Sequence, residues 1–129
     1  MSIDTVVPES GKSAYEHFHF SQAVKSGSLL VCSGQIGTNP DHSVPESAED
    51  EFRKAWQSVE EVLKEAGLGF EDIIEYTSYH VNLGKNMKAF MKVRDEVLSE
   101  PWPAWTAIGI SELFIPGARV EIRVIAQLR

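Results

Sequence analysis

The sequence predicts an α+β fold with the element order ββαβαββ, in which two helices cover one face of a single sheet. Three observations support this prediction. Two stretches place apolar residues at steps of three and four, several short stretches are rich in β-branched and aromatic residues, and clusters of Gly, Pro, Asn and Ser separate them. A chain of 129 residues with 43% hydrophobic and 24% charged residues suits one core, so we expect one domain over residues 1–129.

The N-terminal third predicts an arm followed by a β-hairpin. Residues 1–12 contain Pro8 and Gly11 and show no clear periodicity, so we expect a loosely held arm. From Phe18 onward, "FHFSQAVKSGSLLVCSGQIG" predicts two strands joined by a tight turn at "KSGS", where Gly27 is free to take a positive φ.

Two helices and three further strands follow. Ser47 before "AEDEF" predicts an N-cap, and Gly67 and Gly69 predict the end of that helix. "DIIEYTSYHVNL" predicts a strand, Asn86 opens a second helix that ends before Pro101, and "AWTAIGI" and "ARVEIRVIAQL" are the last two strands. The aromatic and methionine stripe of the helices is expected to be core: Phe52, Trp56, Met87, Phe90 and Met91.

The alternation of the last strand predicts which residues lie on the sheet face that the helices leave uncovered. Its second face carries Glu121, Arg123 and Ile125, which is neither fully polar nor fully apolar. A mixed face of this kind suits a subunit interface with a partly wet cavity. We therefore expect an oligomer.

Charge and composition argue against several classes of function. The net charge is −7 and no run of Lys and Arg occurs, so nucleic-acid binding is not expected. No secretory signal pattern and no apolar run of about 20 residues is visible, and a lone Cys32 suits a reduced compartment; we expect a cytoplasmic protein that does not bind membranes. His17 and His19 would share one face of an extended segment, with His80 on another strand, but no further ligands accompany them. Neither a metal site nor a cofactor is expected.

Three segments resemble the RidA/YjgF family, also known as the endoribonuclease L-PSP family. They are "FSQAVKSGSLLVCSGQIG", "AWQSVEEVLKEAGLGFEDIIEYTSYHVNL" and "GARVEIRVIAQ", and the wording "WTAIGI" is similar to the YjgH-like branch of that family. The resemblance implies a chorismate-mutase-like fold and a homotrimer with ligand clefts between subunits. RidA proper is an enamine/imine deaminase that hydrolyses reactive 2-imino acids. In its cleft an arginine of a "PAR" tripeptide clamps the substrate carboxylate, a glutamate positions water and a tyrosine closes the site.

This sequence departs from that pattern at the arginine. The tripeptide here ends in Trp105, and the tyrosine position holds Phe20. The glutamate is matched by Glu121, and Ser33 falls at a family position that lines the cleft. A cysteine of the family falls on Ala107, and an asparagine falls near Met91.

The loss of the arginine should change the ligand. Tryptophan has one N–H donor and a π face and cannot replace a bidentate guanidinium, so deamination of 2-imino acids at a useful rate is not expected. The cleft would then suit a flat, apolar or cationic occupant rather than a free carboxylate.

Each candidate residue also has a structural interpretation. Trp105 could stack on a ligand or fill the space of the arginine at an interface. Glu121 could position water or could pair with Arg123 or Arg119, and Arg123 could reach the cleft or form an ion pair. Cys32 is expected to be a buried thiol.

Three hypotheses of function follow. The first is hydrolysis or deamination of a small carbonyl- or imine-type metabolite, with Glu121 as the catalytic residue and Phe20, Ser33, Trp105 and Arg123 as binding residues. The second is a non-catalytic trimer that binds a ligand or a protein. The third, an endoribonuclease, is the weakest because of the acidic net charge.

Overall fold

The computed structural model describes residues 3–129 and contains one mixed sheet and three helices. The strands are β1 (Asp4–Val6), β2 (Ala23–Ser26), β3 (Leu29–Cys32), β4 (Gln35–Ile36), β5 (Ile73–Val81), β6 (Ala104–Ile110) and β7 (Val120–Gln127). The helices are α1 (Lys12–Phe18), α2 (Ala48–Glu65) and α3 (Leu83–Val97), with 3-10 turns at Glu9–Gly11 and Phe70–Asp72.

The sheet has the order β1-β2-β3-β7-β5-β6, and the short β4 pairs with β7 beyond the end of β3. All pairs are antiparallel except β5 with β6, which run parallel because α3 forms the crossover between them. This order leaves β6 at one edge, where it is paired on one side only within the described chain.

The core lies between the sheet and helices α2 and α3. Aromatic rings from both layers meet there: Trp56 packs edge-to-face on Tyr76 at 5.4 Å between ring centroids, and Phe52 packs in the same way on Phe90 at 5.7 Å. All four side chains are buried, and such pairs stabilise beyond their buried area. The predicted α+β fold, with one sheet covered by two helices, is confirmed.

Local signals in the sequence correctly located several elements. The hairpin turn falls at Gly27, which has a φ of +59°, between β2 and β3. The Oγ of Ser47 accepts a hydrogen bond of 3.3 Å from the backbone N of Asp50 and caps α2. Gly67, with a φ of +76°, follows the last turn of that helix.

The N-terminal segment differs from the prediction. Part of the expected arm, residues 4–6, pairs with β2, and Gly11 is buried, so these residues are held rather than loose; residues 1–2 lie outside the described chain. The segment ending at Phe18 is helix α1 rather than the start of a strand. None of the side chains of α1 is buried, so the helix lacks the inward apolar stripe by which sequence analysis finds helices.

Helix α3 also begins earlier than predicted. It starts at Leu83 rather than Asn86, because Asn82 takes a left-handed conformation with a φ of 57° and ends β5 there. The inward positions of α3 are therefore Asn86, Phe90 and Val93, and Met91 is exposed rather than part of the core. Among residues 3–129, no helix is both long enough and apolar enough to cross a membrane.

Candidate functional site

The register of the sheet determines which predicted site residues share a face. Tyr76 pairs with both Trp105 of β6 and Val124 of β7, so the Trp105 side chain points to the helix-covered face. Glu121 pairs with Tyr79 and therefore points to the opposite face. Within one chain, Trp105 and Glu121 thus lie on opposite sides of the sheet.

The indole of Trp105 is fixed in place by the core. Its Nε1 donates a hydrogen bond of 2.8 Å to the Oγ of Ser78, and the ring stacks against Tyr76 at 5.8 Å and Phe90 at 6.1 Å between centroids. The side chain remains partly exposed at the edge of the sheet. It therefore both packs against the core and presents a surface to the outside.

Arg94, an arginine outside the predicted site residues, lies over this indole. The Cζ of Arg94, from α3, is 5.0 Å from the Trp105 ring centroid, and its Nη1 donates to the Tyr76 hydroxyl at 3.3 Å. Its Nε donates to Asp95 at 2.8 Å, and only 17% of the Arg94 side chain is exposed. Arg94 lies four residues after the buried Phe90, which is the spacing that could have indicated its position.

The opposite face carries Glu121, packed on a glycine. A Cβ at Gly34 would lie 2.5 Å from the carboxyl carbon of Glu121, so only glycine allows this approach. Burial raises the pKa of the Glu121 carboxyl above its ordinary value. Among residues 3–129, no Lys, Arg or His approaches Glu121 within ion-pair distance, so the pairing with Arg123 or Arg119 is not formed within the chain.

Phe20 and Ser33 lie close to each other, and Ser33 precedes the glycine that Glu121 contacts. They line one open cavity of about 560 Å³ together with Tyr15, His19 and Val24. The Oγ of Ser33 donates to the backbone oxygen of Ser21 at 2.6 Å, which fixes the loop that leads into Gly34. The structure therefore brings Phe20 and Ser33 together, with Glu121 against the residue after Ser33.

The two other arginines of the last strand region have different environments. Arg123 is half-buried on the face of Glu121, as the alternation of β7 predicts. Arg119 instead donates from Nη1 to the fully buried Glu51 at 2.8 Å and from Nη2 to the backbone oxygen of Glu46 at 2.9 Å. Arg119 therefore joins α2 to the start of β7 and does not share the face of Glu121.

The histidines do not converge. His17 lies in α1 and His19 follows it with a φ of 60°, so the two do not share one face of a strand as predicted. His80 is fully buried, its Nε2 lies 2.7 Å from the Oγ of Ser78, and burial lowers the pKa of its imidazole. Within the described part of the chain, no three His, Cys, Asp or Glu side chains are placed to hold a metal ion.

Cys32 is a buried thiol. Burial raises its pKa to about 12, although the positive charge of Arg123 opposes this shift. The thiol therefore stays protonated at neutral pH, which is unfavourable for a nucleophile.

A larger cavity than the one beside Phe20 and Ser33 lies between the start of α3 and the segment joining β6 to β7. It measures about 830 Å³ and is lined by residues that include Asn82, Lys85, Phe114 and Arg119. None of the five predicted site residues lines it.

Comparison with known proteins agrees with this architecture. The family model described as endoribonuclease L-PSP matches residues 11–128. The RutC family protein YjgH of Escherichia coli (strain K12) is 35% identical over 124 residues, which cover 95% of this chain and 93% of that protein. A solved structure of protein YjgH superposes with a TM-score of 0.89 at 33% identity and covers 99% of this chain and 98% of that one.

Another relative has a name that states an activity. The 2-iminobutanoate/2-iminopropanoate deaminase of Dermatophagoides farinae is 32% identical over 108 residues, which cover 82% of this chain and 83% of that protein. Some members of the group are thus imine deaminases. The extent of these matches shows that this chain belongs to the RidA/YjgF, or endoribonuclease L-PSP, family.

Proposed function

We propose that this chain assembles as a homotrimer whose inter-subunit clefts bind and hydrolyse a small carbonyl- or imine-type metabolite, with Glu121 as the catalytic residue. The observation that carries this proposal is the environment of Glu121. Its carboxyl group is half-buried against Gly34, its pKa is raised, and no cation neutralises it within residues 3–129. A carboxyl group with these properties suits the positioning and activation of a water molecule.

The positions of Trp105 and Glu121 support assembly of several subunits. Because Trp105 and Glu121 lie on opposite faces of the sheet, a cleft that contains both needs a second subunit. Strand β6 is an open edge, and Ile108 on it and Phe114 after it are exposed large apolar side chains. An unpaired edge with neighbouring apolar surface is typical of a subunit interface.

The other binding residues follow from their positions. Phe20 and Ser33 would line the Glu121 half of the cleft, and Arg123 shares the sheet face of Glu121. Trp105 would contribute the other half from a neighbouring subunit. Because the arginine clamp of the deaminases is absent at Trp105, we propose that small aliphatic 2-imino acids are poor substrates.

A non-catalytic ligand-binding or interaction trimer is the second candidate. It is favoured by the packing of Trp105, whose hydrogen bond to Ser78 and stacking on Tyr76 resemble those of a structural side chain. An endoribonuclease is the weaker alternative, because a net charge of −7 opposes binding of a phosphate backbone. We further propose a cytoplasmic protein that needs no cofactor and binds no membrane; the buried, protonated thiol of Cys32 suits a reduced compartment.

The test combines an assembly measurement with a rate measurement. Sedimentation velocity should give a trimer, and a monomer at micromolar concentration would overturn the proposal. Deamination of 2-iminobutyrate generated in situ should be negligible for the wild type and measurable for Trp105→Arg, with the gain lost in the double variant Trp105→Arg/Glu121→Gln. An active wild type would contradict the need for the arginine. If neither protein is active, the non-catalytic trimer is the better description.

A further inference from the structure

We propose that Arg94 is the anion-binding group of a small aromatic pocket at the Trp105 edge of the sheet, and that this pocket takes a carboxylate attached to a planar ring. The inference deepens the proposed function, because it names the ligand class for one half of the cleft. All residues that line this pocket belong to one chain, so the pocket itself does not require a trimer. The inference rests on the proposed function only where it makes the pocket one half of an inter-subunit cleft.

The pocket is formed by the start of β6 and the last turn of α3. Its five lining residues are Tyr76, Arg94, Trp102, Pro103 and Trp105. Its volume is about 230 Å³, which is below the roughly 300 Å³ at which sites for drug-sized ligands begin. Two indoles and a proline ring give it flat apolar walls, and the Trp102 side chain is 56% exposed. This shape and size suit a single ring.

Hydrogen bonds hold the guanidinium of Arg94 in place, but they do not occupy all of its N–H donors. Its Nε donates to Asp95 and its Nη1 donates to Tyr76, whereas Nη2 has no hydrogen-bond partner among the residues from 3 to 129. An N–H of Arg94 is therefore a donor available at this small pocket, and the Tyr76 hydroxyl, which belongs to a side chain only 2% exposed, orients the guanidinium.

The positive charge of Arg94 favours a negatively charged ligand in this pocket. The positive charge of Arg94 lies 5.0 Å from the centroid of the Trp105 ring, so a cationic ligand approaching the same indole would be repelled. Asp95 neutralises part of this charge, but its side chain is 59% exposed and therefore well screened by water. A carboxylate can accept from the guanidinium of Arg94, and its attached ring can contact the indoles.

Arg94 thus restores a cation near the place where the related deaminases carry their arginine, although it comes from α3 instead of β6. Its guanidinium lies over the indole that occupies the arginine position rather than in that position itself. A ligand must therefore contact the tryptophan to reach the charge. This requirement favours an aromatic carboxylate over a small aliphatic one.

The experiment is a titration of the full chain with benzoate, followed by calorimetry and by the indole N–H and arginine Nε–H resonances in NMR. Benzamide has the same ring without the charge, and butyrate has the charge without the ring. We expect millimolar benzoate binding that shifts the Trp105 and Arg94 resonances, with benzamide and butyrate at least about tenfold weaker. Equal binding of benzoate and benzamide would overturn the role of Arg94.

Variants at Arg94 provide the decisive comparison. Arg94→Met keeps most of the side-chain stem and should weaken benzoate about tenfold or more, whereas Arg53→Met, which removes an arginine from the exposed side of α2, should leave it unchanged. Arg94→Lys keeps the charge and should bind with intermediate affinity, which guards against a Met variant that fails to fold. Wild-type affinity in both Arg94 variants would overturn the inference.

Failure of this inference and failure of the proposed function give different results. No saturable benzoate binding to the folded wild type at about 10 mM, where a millimolar site would be mostly filled, overturns the pocket and leaves assembly and Glu121 chemistry untouched. Benzoate binding that depends on Arg94, in a protein that sediments as a monomer, supports the pocket and overturns the trimeric cleft.

Discussion

The indole N–H of Trp105 donates a hydrogen bond of 2.8 Å to the hydroxyl of Ser78, and that hydroxyl lies 2.7 Å from Nε2 of His80. An indole nitrogen only donates, so the Ser78 oxygen accepts from Trp105, and its own hydrogen can point to His80. Ser78 and His80 are fully buried, and the Nδ1 of His80 has no hydrogen-bond partner among residues 3–129. The Trp105 side chain is thus connected to two buried polar side chains of β5, Ser78 and His80.

This connection predicts the effect of Ser78→Ala. The change leaves the Trp105 N–H and the remaining nitrogen of His80 without their partner, which should lower the free energy of unfolding by about 2 kcal/mol. Urea denaturation measures the loss. Ser26→Ala, at an exposed position of β2, is the matched control and should have little effect. Equal midpoints for the two variants would show that the hydrogen bonds of Ser78 do not contribute to stability.

A second prediction concerns the contact between Gly34 and Glu121. A methyl group at residue 34 would lie 2.5 Å from the carboxyl carbon, so Gly34→Ala must displace the end of the Glu121 side chain. Because that side chain is flexible, we expect a loss of about 1 kcal/mol, at the low end of the cost of overpacking. In the Glu121→Ala background the carboxyl group is absent, so Gly34→Ala should lower the free energy of unfolding much less. A double-mutant cycle by urea denaturation measures the coupling between the two sites. Strictly additive effects would contradict the contact.

The sequence was sufficient for the elements whose signals are local. The stripe of α2, its Ser47 cap and the turn at Gly27 each depend on residues within a few positions of one another. Helix α1 and strand β1 were missed because α1 has no buried face and β1 has only three residues, and the single strand predicted for "LLVCSGQI" is divided into β3 and β4. Elements of that size are formed by pairing with distant strands, which periodicity does not report.

The arrangement of the candidate site could be predicted only in part, for a related reason. The alternation of β7 correctly placed Glu121 and Arg123 on one face. The face of Trp105 depends instead on the parallel register between β5 and β6, in which it pairs with Tyr76. That register is set by a crossover through α3, so no local pattern encodes it. The proximity of Arg94 to the indole follows from the same crossover.

The raised pKa of Glu121 predicts a pH dependence of stability. The unfolded chain releases this proton near the ordinary pKa of 4.5, whereas the folded chain holds it to higher pH because of burial. Between those two values the unfolded state binds fewer protons, so the free energy of unfolding falls as the pH rises. Glu121→Gln removes this term, so the variant should gain stability relative to the wild type as the pH rises from about 4.5 to the folded pKa, and the difference should level off above it.

Urea midpoints of both proteins between about pH 4 and pH 8 measure this difference. Glu75→Gln removes an exposed carboxylate from β5 and is the control for the loss of one negative charge. A gain for Glu121→Gln that is largest at low pH would have the wrong sign, and the carboxyl group would then be stabilised in its charged form.

The buried ion pair between Glu51 and Arg119 predicts the largest loss of stability. Glu51 is completely buried and accepts hydrogen bonds from the backbone N of Arg119 at 2.7 Å and from its Nη1 at 2.8 Å. Arg119→Met keeps the backbone bond but leaves the carboxylate without its cation. Because breaking a buried pair from one side leaves an uncompensated charge, we expect the free energy of unfolding to fall by about 3 kcal/mol.

Arg53→Met, which breaks exposed pairs with Glu49 and Glu96, should cause a far smaller loss, since water screens those charges. Urea denaturation at pH 7 compares the two variants, and similar midpoints would mean that the backbone donors alone satisfy Glu51.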